Sequence, residues 1–378
     1  MNEIPSMPDT PHPTALAFSR ALEEHLSSSA SSLYITKEQP INETECKLKN
    51  KEMIAKSKKN NRIIQTSYLL GWRNRNSLSS SYPVSMLIPS PSLSSSSSTT
   101  SSQSMKPMLT FSFTMTQIHE TTSQKDKIDY GTGAYIWPAS MVLLKYFEYQ
   151  SHVNNNSNNK IKLKNDNATT TIHEENILFH KTVLDLGAGT GVTSIASALL
   201  GASIVVCTDG SKPVVQLAKD NVKRIQKEFQ NEIRLFCKDD IDPHQADELF
   251  NVQVCEYQWG DVQQTDSILQ MFSTTERNNI SSSSIDLSYP DIILVSDCVL
   301  PKLFPIAPLV QTLYRCMGQN TRAYLSFEYR YFHKYDAKTK FWDLAEGLGL
   351  LLREIPRDQH HPVYQADDIE LWEVRKHA

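Results

Sequence analysis

No apolar run in this sequence approaches the roughly 18 residues that a membrane-spanning helix needs, so no span through a bilayer is expected. The six cysteines, Cys46, Cys207, Cys237, Cys255, Cys298 and Cys316, form no C-x-x-C pair and have no histidine beside them at metal-ligand spacing. Neither a disulfide framework nor a zinc site is supported, no metal is expected, and a reducing compartment is the natural reading. Positive charge is not in excess. The chain has 38 Lys and Arg against 42 Asp and Glu, a net charge of −4, which argues against a generally nucleic-acid-binding surface but leaves room for a local basic patch. The opening residues M-N-E-I-P-S-M-P-D-T lack the basic and apolar regions of a secretion signal. Acidic Glu3, Asp9, Glu23 and Glu24 do not suit a mitochondrial leader. Cytosol or nucleus is the expected location.

What is present divides into polar tracts and a patterned core. Residues 1–105 are dominated by Ser, Asn, Pro and Lys and end in the tract Ser94–Ser104. Such a composition buries too little apolar surface to offset the entropy of ordering, so this region is expected to be disordered. Within it, Ala15–Leu26 has the spacing of a short amphipathic helix. The basic run Lys47–Arg62 reads first as a solvated linker and second as a contact for nuclear import or RNA. Two further polar tracts, near 151–172 and 274–288, interrupt well-patterned segments and read as inserted surface loops.

From 106 to 378 the pattern alternates between strand and helix. An alternating strand at Leu109–Ile118 precedes a helix from about Ala139 to Tyr149. Strands are then expected at Val183–Leu186, Ser203–Cys207, Val252–Tyr257, Asp291–Val295 and Arg322–Phe327, separated by helices. The longest of these helices runs over Lys212–Phe229, with Ser211 as its N-cap. Leu350–Ile355 and Ile369–Val374 close the chain as a helix-free antiparallel pair. The expected fold is α/β: a Rossmann-like, mostly parallel seven-stranded sheet with helices on both faces and an antiparallel C-terminal strand pair.

The organising stretch is Lys181–Gly191, K-T-V-L-D-L-G-A-G-T-G. An apolar strand stops in three alternating glycines and becomes a helix, whose N-terminus is electropositive and carries free N–H groups. In an open α/β sheet ligands bind beyond the carboxyl ends of the strands, and this turn lies there. Asp209, about twenty residues on at the end of the next strand, suits ribose hydroxyls. These features fit NAD and S-adenosylmethionine alike. The glycines read G-x-G-x-G and not the G-x-G-x-x-G of dinucleotide sites, and they would also serve a plain strand-to-helix turn.

V-L-D-L-G-A-G-T-G followed by T-D-G is similar to the S-adenosylmethionine site of seven-β-strand methyltransferases. Y-I-W-P-A-S-M-V-L-L-K-Y-F-E upstream, E-Y-Q-W-G after the third strand and D-I-I-L-V-S-D-C-V-L at the fourth narrow the likeness. Together, over residues 108–378, they resemble the methyltransferase-like group of protein-lysine methyltransferases, methyltransferase family 16. The resemblance implies S-adenosyl-L-methionine as cofactor. It places Trp137 over the methionyl or sulfonium end, and Gly187, Ala188 and Gly189 as backbone N–H donors and close contacts to the methionine portion. It places Asp209 on the ribose, Trp259 beside the adenine and Ser296 as the small residue against the cofactor. Asp185 either orients the turn or contacts the amino acid moiety.

On the substrate side the family has D-x-x-Y after the fourth strand, and this chain has Asp297-Cys298-Val299-Leu300. The acid is present and the aromatic is not. Tyr329, Phe304 or Tyr335 would have to supply the ring. The implied activity is transfer of methyl groups to a lysine side chain of a protein substrate, with Asp297 as the catalytic acid facing the amine. Other substrate classes (a small molecule, RNA or another protein side chain) and an inactive cofactor-binding adaptor stand as alternatives.

Overall fold

The structure is a computed structural model that describes residues 71–74, 79–89, 108–118, 130–156, 177–236, 249–273, 288–300, 303–330 and 335–377. The chain divides into two units, Met1–Gly71 and Trp72–Ala378, and everything below concerns the second. The amphipathic segment Ala15–Leu26, the basic run Lys47–Arg62 and most of the two inserted loops lie outside the described residues.

The sheet is built from β3 (Thr182–Leu186), β4 (Ile204–Asp209), β5 (Val252–Glu256), β6 (Ile292–Ser296), β7 (Arg322–Glu328), β8 (Leu350–Glu354) and β9 (Ile369–Lys376). Its order is β5-β4-β3-β6-β7-β9-β8. The first five strands pair in parallel, and β9 runs antiparallel to both β7 and β8. This is the seven-stranded, mostly parallel sheet with an antiparallel C-terminal pair that the alternation predicts. The central strands β3 and β6 are buried almost throughout, because helices cover both faces.

Two cores result, one on each face. Helices α1 (Pro138–Asn156), α2 (Val192–Leu199) and α3 (Lys212–Phe236) supply Leu143, Ile195 and Ile225 to the first. Helices α4 (Val262–Gln270), α5 (Ile306–Cys316) and α6 (Ala337–Gly347) supply Ile268, Leu309 and Phe341 to the second. Helix α1 continues through Asn156, so the polar insertion begins later than the composition predicts. Helix α3 likewise extends seven residues beyond the expected Phe229, to Phe236, and Ile233 is buried on that extension.

The main departure lies ahead of this sheet. Ser81–Pro89, inside the region expected to be disordered, is strand β1. It pairs antiparallel with β2 (Met108–Thr116) over nine residues, Ser81 opposite Thr116 through Pro89 opposite Met108. Tyr82, Val84, Met86 and Ile88 alternate inward and are buried with Phe111, Phe113 and Met115 of β2 in the first core. Serines at 79, 80, 81 and 85 mask the alternation in a composition count, but the period-2 apolar face is there. The hairpin is fastened to the domain by polar contacts. Leu87 N–H donates to Glu148 Oε1 at 2.8 Å, and Glu148 is ion-paired with buried Lys145 at 2.5 Å. Asn221 of α3 accepts from Thr116 N–H at 2.9 Å and donates to the carbonyls of Thr116 and Thr190. One side chain thus ties the hairpin to the glycine turn.

Candidate cofactor and acceptor site

The carboxyl ends of β3, β4 and β6 meet at a cleft of about 380 Å³. Chain order reverses at this point of the sheet: β3 is flanked by β4 on one side and β6 on the other. Ligands of open α/β sheets sit at such switch points.

The glycine turn forms the floor. Gly187 and Gly189 have φ of 69° and 57°, the left-handed region that a side chain strains. A Cβ on Gly187 would meet Cys298 Sγ at 2.7 Å and the Trp259 ring at 2.9 Å, and one on Gly189 would meet the Gly133 carbonyl oxygen at 2.8 Å. The N–H groups of Ala188 and Gly189 are not free in the way the resemblance implies. Ala188 N–H donates to Thr208 O at 2.8 Å, and Gly189 N–H donates to Asp209 Oδ2 at 3.1 Å. The turn is therefore prebuilt by its neighbour strand, and its contribution to a ligand is close backbone approach.

Asp209 ends β4. Its other oxygen accepts from Ser211 N–H at 3.0 Å. Burial raises its pKa, while the N–H groups of Ser211, Gly189 and Gly210 oppose the rise. Each oxygen accepts one backbone bond, which leaves a lone pair apiece for a diol.

Asp185 lies beneath the turn, wholly buried, and does not line the cleft. Its Oδ2 accepts from Thr193 Oγ1 and Ser194 Oγ, both at 2.6 Å, which ties β3 to the first turn of α2. Of the two roles open to Asp185, orienting the turn or contacting the amino acid moiety, this geometry supports the first. Desolvation raises its pKa to about 6, opposed by the two hydroxyl bonds.

Trp137 stands just before α1, and its Nε1–H donates to Thr132 O at 2.9 Å. This bond closes the loop Gly131–Ala134 over the cleft. Trp259, after β5, lines the same cleft and meets Phe304 edge-on, centroids 5.7 Å apart. Ser296 ends β6, buried, with its Oγ 2.7 Å from Ser140 Oγ of α1. Asp297 follows at φ 55°, a left-handed position that Asp tolerates better than most residues, and its N–H donates to Ser326 O at 2.9 Å. All seven cofactor candidates and Asp297 line this one cleft.

Leu300 lines it too, almost fully buried. Of the three rings offered in place of an aromatic there, Phe304 reaches the cleft. Tyr329 is exposed and Tyr335 packs against the second core. Sequence reasoning missed Ser140, Thr132, Gly133 and Gln258, which line the cleft, and Arg330, which stands behind it. Arg330 closes the S-F-E-Y-R motif, read only for its tyrosine. Its Nη1 and Nη2 donate to the two oxygens of Asp297 at 2.8 and 2.6 Å.

Among the described residues, no group of His, Cys, Asp or Glu could hold a metal ion, and no helix is long and apolar enough to cross a membrane.

Residues 117–254 match a family model described as lysine methyltransferase, methyltransferase family 16. A curated relative, the ribosomal protein L11 methyltransferase of Caulobacter sp. (strain K31), is 51% identical over 43 residues, 11% of this chain and 15% of that protein's length. Among solved structures, the chain is similar to a TehB-like SAM-dependent methyltransferase of Corynebacterium glutamicum, at 16% identity and TM-score 0.31, covering 53% of this chain and 82% of that one. A ribosomal protein L11 methylase of Lactobacillus delbrueckii subsp. bulgaricus gives 14% identity, TM-score 0.30, and 52% and 71% coverage.

The cofactor of this family is S-adenosylmethionine, and the cleft fits it. A floor with no room for Cβ atoms, a half-buried carboxylate with lone pairs to spare and two indoles lining the same cleft suit an amino acid, a ribose and a purine. The family match runs from the end of β2 through Trp137, the glycine turn and Asp209 to β5, and over this part the chain is similar to that family.

Proposed function

We propose that this protein is an S-adenosylmethionine-dependent methyltransferase whose acceptor is a lysine side chain of another protein. The observation that carries the reading is that Asp297, Trp137, Leu300 and Phe304 line the same cleft as the glycine turn and Asp209. The cofactor supplies an electrophilic methyl group on a sulfonium, and the residues of this chain do the rest. Asp209 holds the ribose hydroxyls, Gly187, Ala188 and Gly189 bring backbone against the methionine portion, and Trp259 flanks the adenine. Ser296 and Trp137 bound the reacting end.

A lysine amine has a pKa of about 10.4 in water and attacks only without its extra proton. The apolar wall disfavours the ammonium form. Asp297 accepts an N–H of the amine and aligns its lone pair. Because Arg330 balances its charge, Asp297 orients the neutral amine without strongly favouring the protonated one. Methyl transfer needs little further acid–base chemistry, so proximity and alignment supply most of the rate.

Incubation of the protein with methyl-labelled S-adenosylmethionine and a cell lysate tests this. Label in protease-sensitive material supports it. Label confined to RNA or small metabolites contradicts it. A second reading, a cofactor-binding adaptor without turnover, is favoured by one observation: both oxygens of Asp297 are taken by Arg330, and Leu300 stands where the family has an aromatic. Cofactor binding with no label transferred to any acceptor would support the adaptor.

A further inference from the structure

We propose that Arg330 is a positioning residue of the acceptor site, fixing the carboxylate of Asp297 and the indole of Trp137 relative to one another from behind the cleft wall. The inference rests on the proposed methyl transfer at Asp297. Trp137 and Asp297 line the cleft and lie far apart in the sequence; Arg330 does not line it. The guanidinium carbon lies 5.0 Å from the centroid of the Trp137 ring, within the range of a cation–π contact. Its two terminal nitrogens grip Asp297 in a bidentate pair, the geometry that fixes a carboxylate in rotation as well as position.

The arginine is itself held. Nη2 also donates to Glu328 Oε2 at 2.8 Å, and Arg73 pairs with the other oxygen of Glu328 and with Asp368. The side chains of Asp297 and Arg330 are 1% and 13% exposed, so water competes little for either. Burial, the largest influence on Arg330, works against its charge, but Asp297 and Glu328 outweigh it and leave its pKa raised. Glu328 moves up, with burial the main cause and Arg330 and Arg73 opposing it.

The charges next to Asp297 are thus Arg330 and Glu328, with Arg73 and Asp368 behind them. With Arg330 gone, Asp297 would be a buried carboxylate with no cation in contact. Burial without a counter-charge disfavours the charged form of a carboxyl group. A group of that kind leaves stability intact at low pH and removes it as pH rises.

The test uses the full chain as Arg330→Met, Asp297→Asn, the double variant and Arg330→Lys. Urea unfolding is followed from pH 5 to pH 8, and kcat/KM for the labelled protein acceptor over the same range. The expected unfolding result is that R330M costs more stability as pH rises, and that this pH dependence vanishes in the D297N background. The expected kinetic result is a fall in kcat/KM of about 10- to 100-fold for R330M, steeper on the acid side than in the native protein, with partial recovery in R330K. An unfolding cost that is flat with pH in both backgrounds, or R330M turnover within about twofold of native, would overturn the proposal. If the native protein itself methylates nothing, the functional reading fails, and the unfolding arm still decides the Arg330–Asp297 coupling. If R330M does not fold, R330K carries the kinetic arm. Loss of turnover with no change in its acid limb supports fixed geometry, and full native turnover overturns it.

Discussion

The carbonyl oxygen of Gly133 lies 2.8 Å from the point where a Cβ on Gly189 would stand. The loop ahead of α1 is thereby pressed onto the glycine turn, and the two backbones share a space that admits no side chain. Gly189 also sits at φ 57°, where any other residue is strained by about 1–2 kcal/mol. Gly189→Ala should weaken S-adenosylhomocysteine binding by at least about 10-fold, since strain and overpacking add. Titration calorimetry on the purified chain measures it, and native affinity would mean that the loop and turn do not form the cofactor floor.

Asp209 carries the second prediction. Its oxygens each accept a backbone N–H and keep a lone pair toward the cleft. Asp209→Asn places an amide N–H against either Gly189 N–H or Ser211 N–H and removes the charge. Loss of hydrogen bonds to a charged acceptor costs about 1.5–3 kcal/mol, so S-adenosylhomocysteine affinity should drop by about 10- to 150-fold while the fold, read by circular dichroism, persists.

A third prediction concerns pH. Asp185 has its pKa raised from 3.8 to about 6, with burial the dominant cause. A folded value above the unfolded one means that the folded state holds the proton longer, so this group erodes stability as pH rises from about 4 to about 6. The erosion is on the order of 3 kcal/mol. Asp185→Asn abolishes it, so the variant should compare better with the native protein at pH 7 than at pH 4. Chemical denaturation at the two pH values checks the sign. A difference that is constant with pH would mean that Asp185 is not ionised against burial.

The hairpin yields the fourth. Met86 is 1% exposed in β1, and Met86→Ala should cost about 2–5 kcal/mol of stability. A chain beginning at 106 leaves Phe111, Phe113 and Met115 of β2 without their partners and should aggregate or lose cooperative unfolding. A chain beginning at 72 retains the pairing and should unfold as the full-length protein does.

These predictions mark where the sequence was readable. Val183–Leu186 was legible because burial on both faces demands an apolar run, β9 because Ile369 and Leu371 alternate inward, and the glycine turn because its φ values exclude side chains. That Trp137, Asp209 and Trp259 share one cleft followed from motif order, since each flanks a recognisable element. Strand β1 was lost because serine and proline take its exposed positions, Ser81, Pro83 and Ser85, and composition there outweighed a four-residue inward alternation. Arg330 was lost for another reason. Its partner Asp297 is 33 positions away, and nothing local to S-F-E-Y-R signals an ion pair formed through tertiary contact. The N–H groups of Ala188 and Gly189 were assigned to a ligand because sequence cannot show that Thr208 and Asp209 already accept them.

The central claim is that the acceptor held at Asp297 is a lysine amine. Amino acid analysis of the protein labelled by native enzyme and methyl-labelled S-adenosylmethionine, with Asp297→Asn run beside it, tests this most directly. The account predicts radioactive methyllysine from the native enzyme and a loss of at least about 10-fold in D297N, as for other misplaced acceptors. Label recovered as methylhistidine or methylarginine, or methyllysine formed equally by D297N, would contradict it.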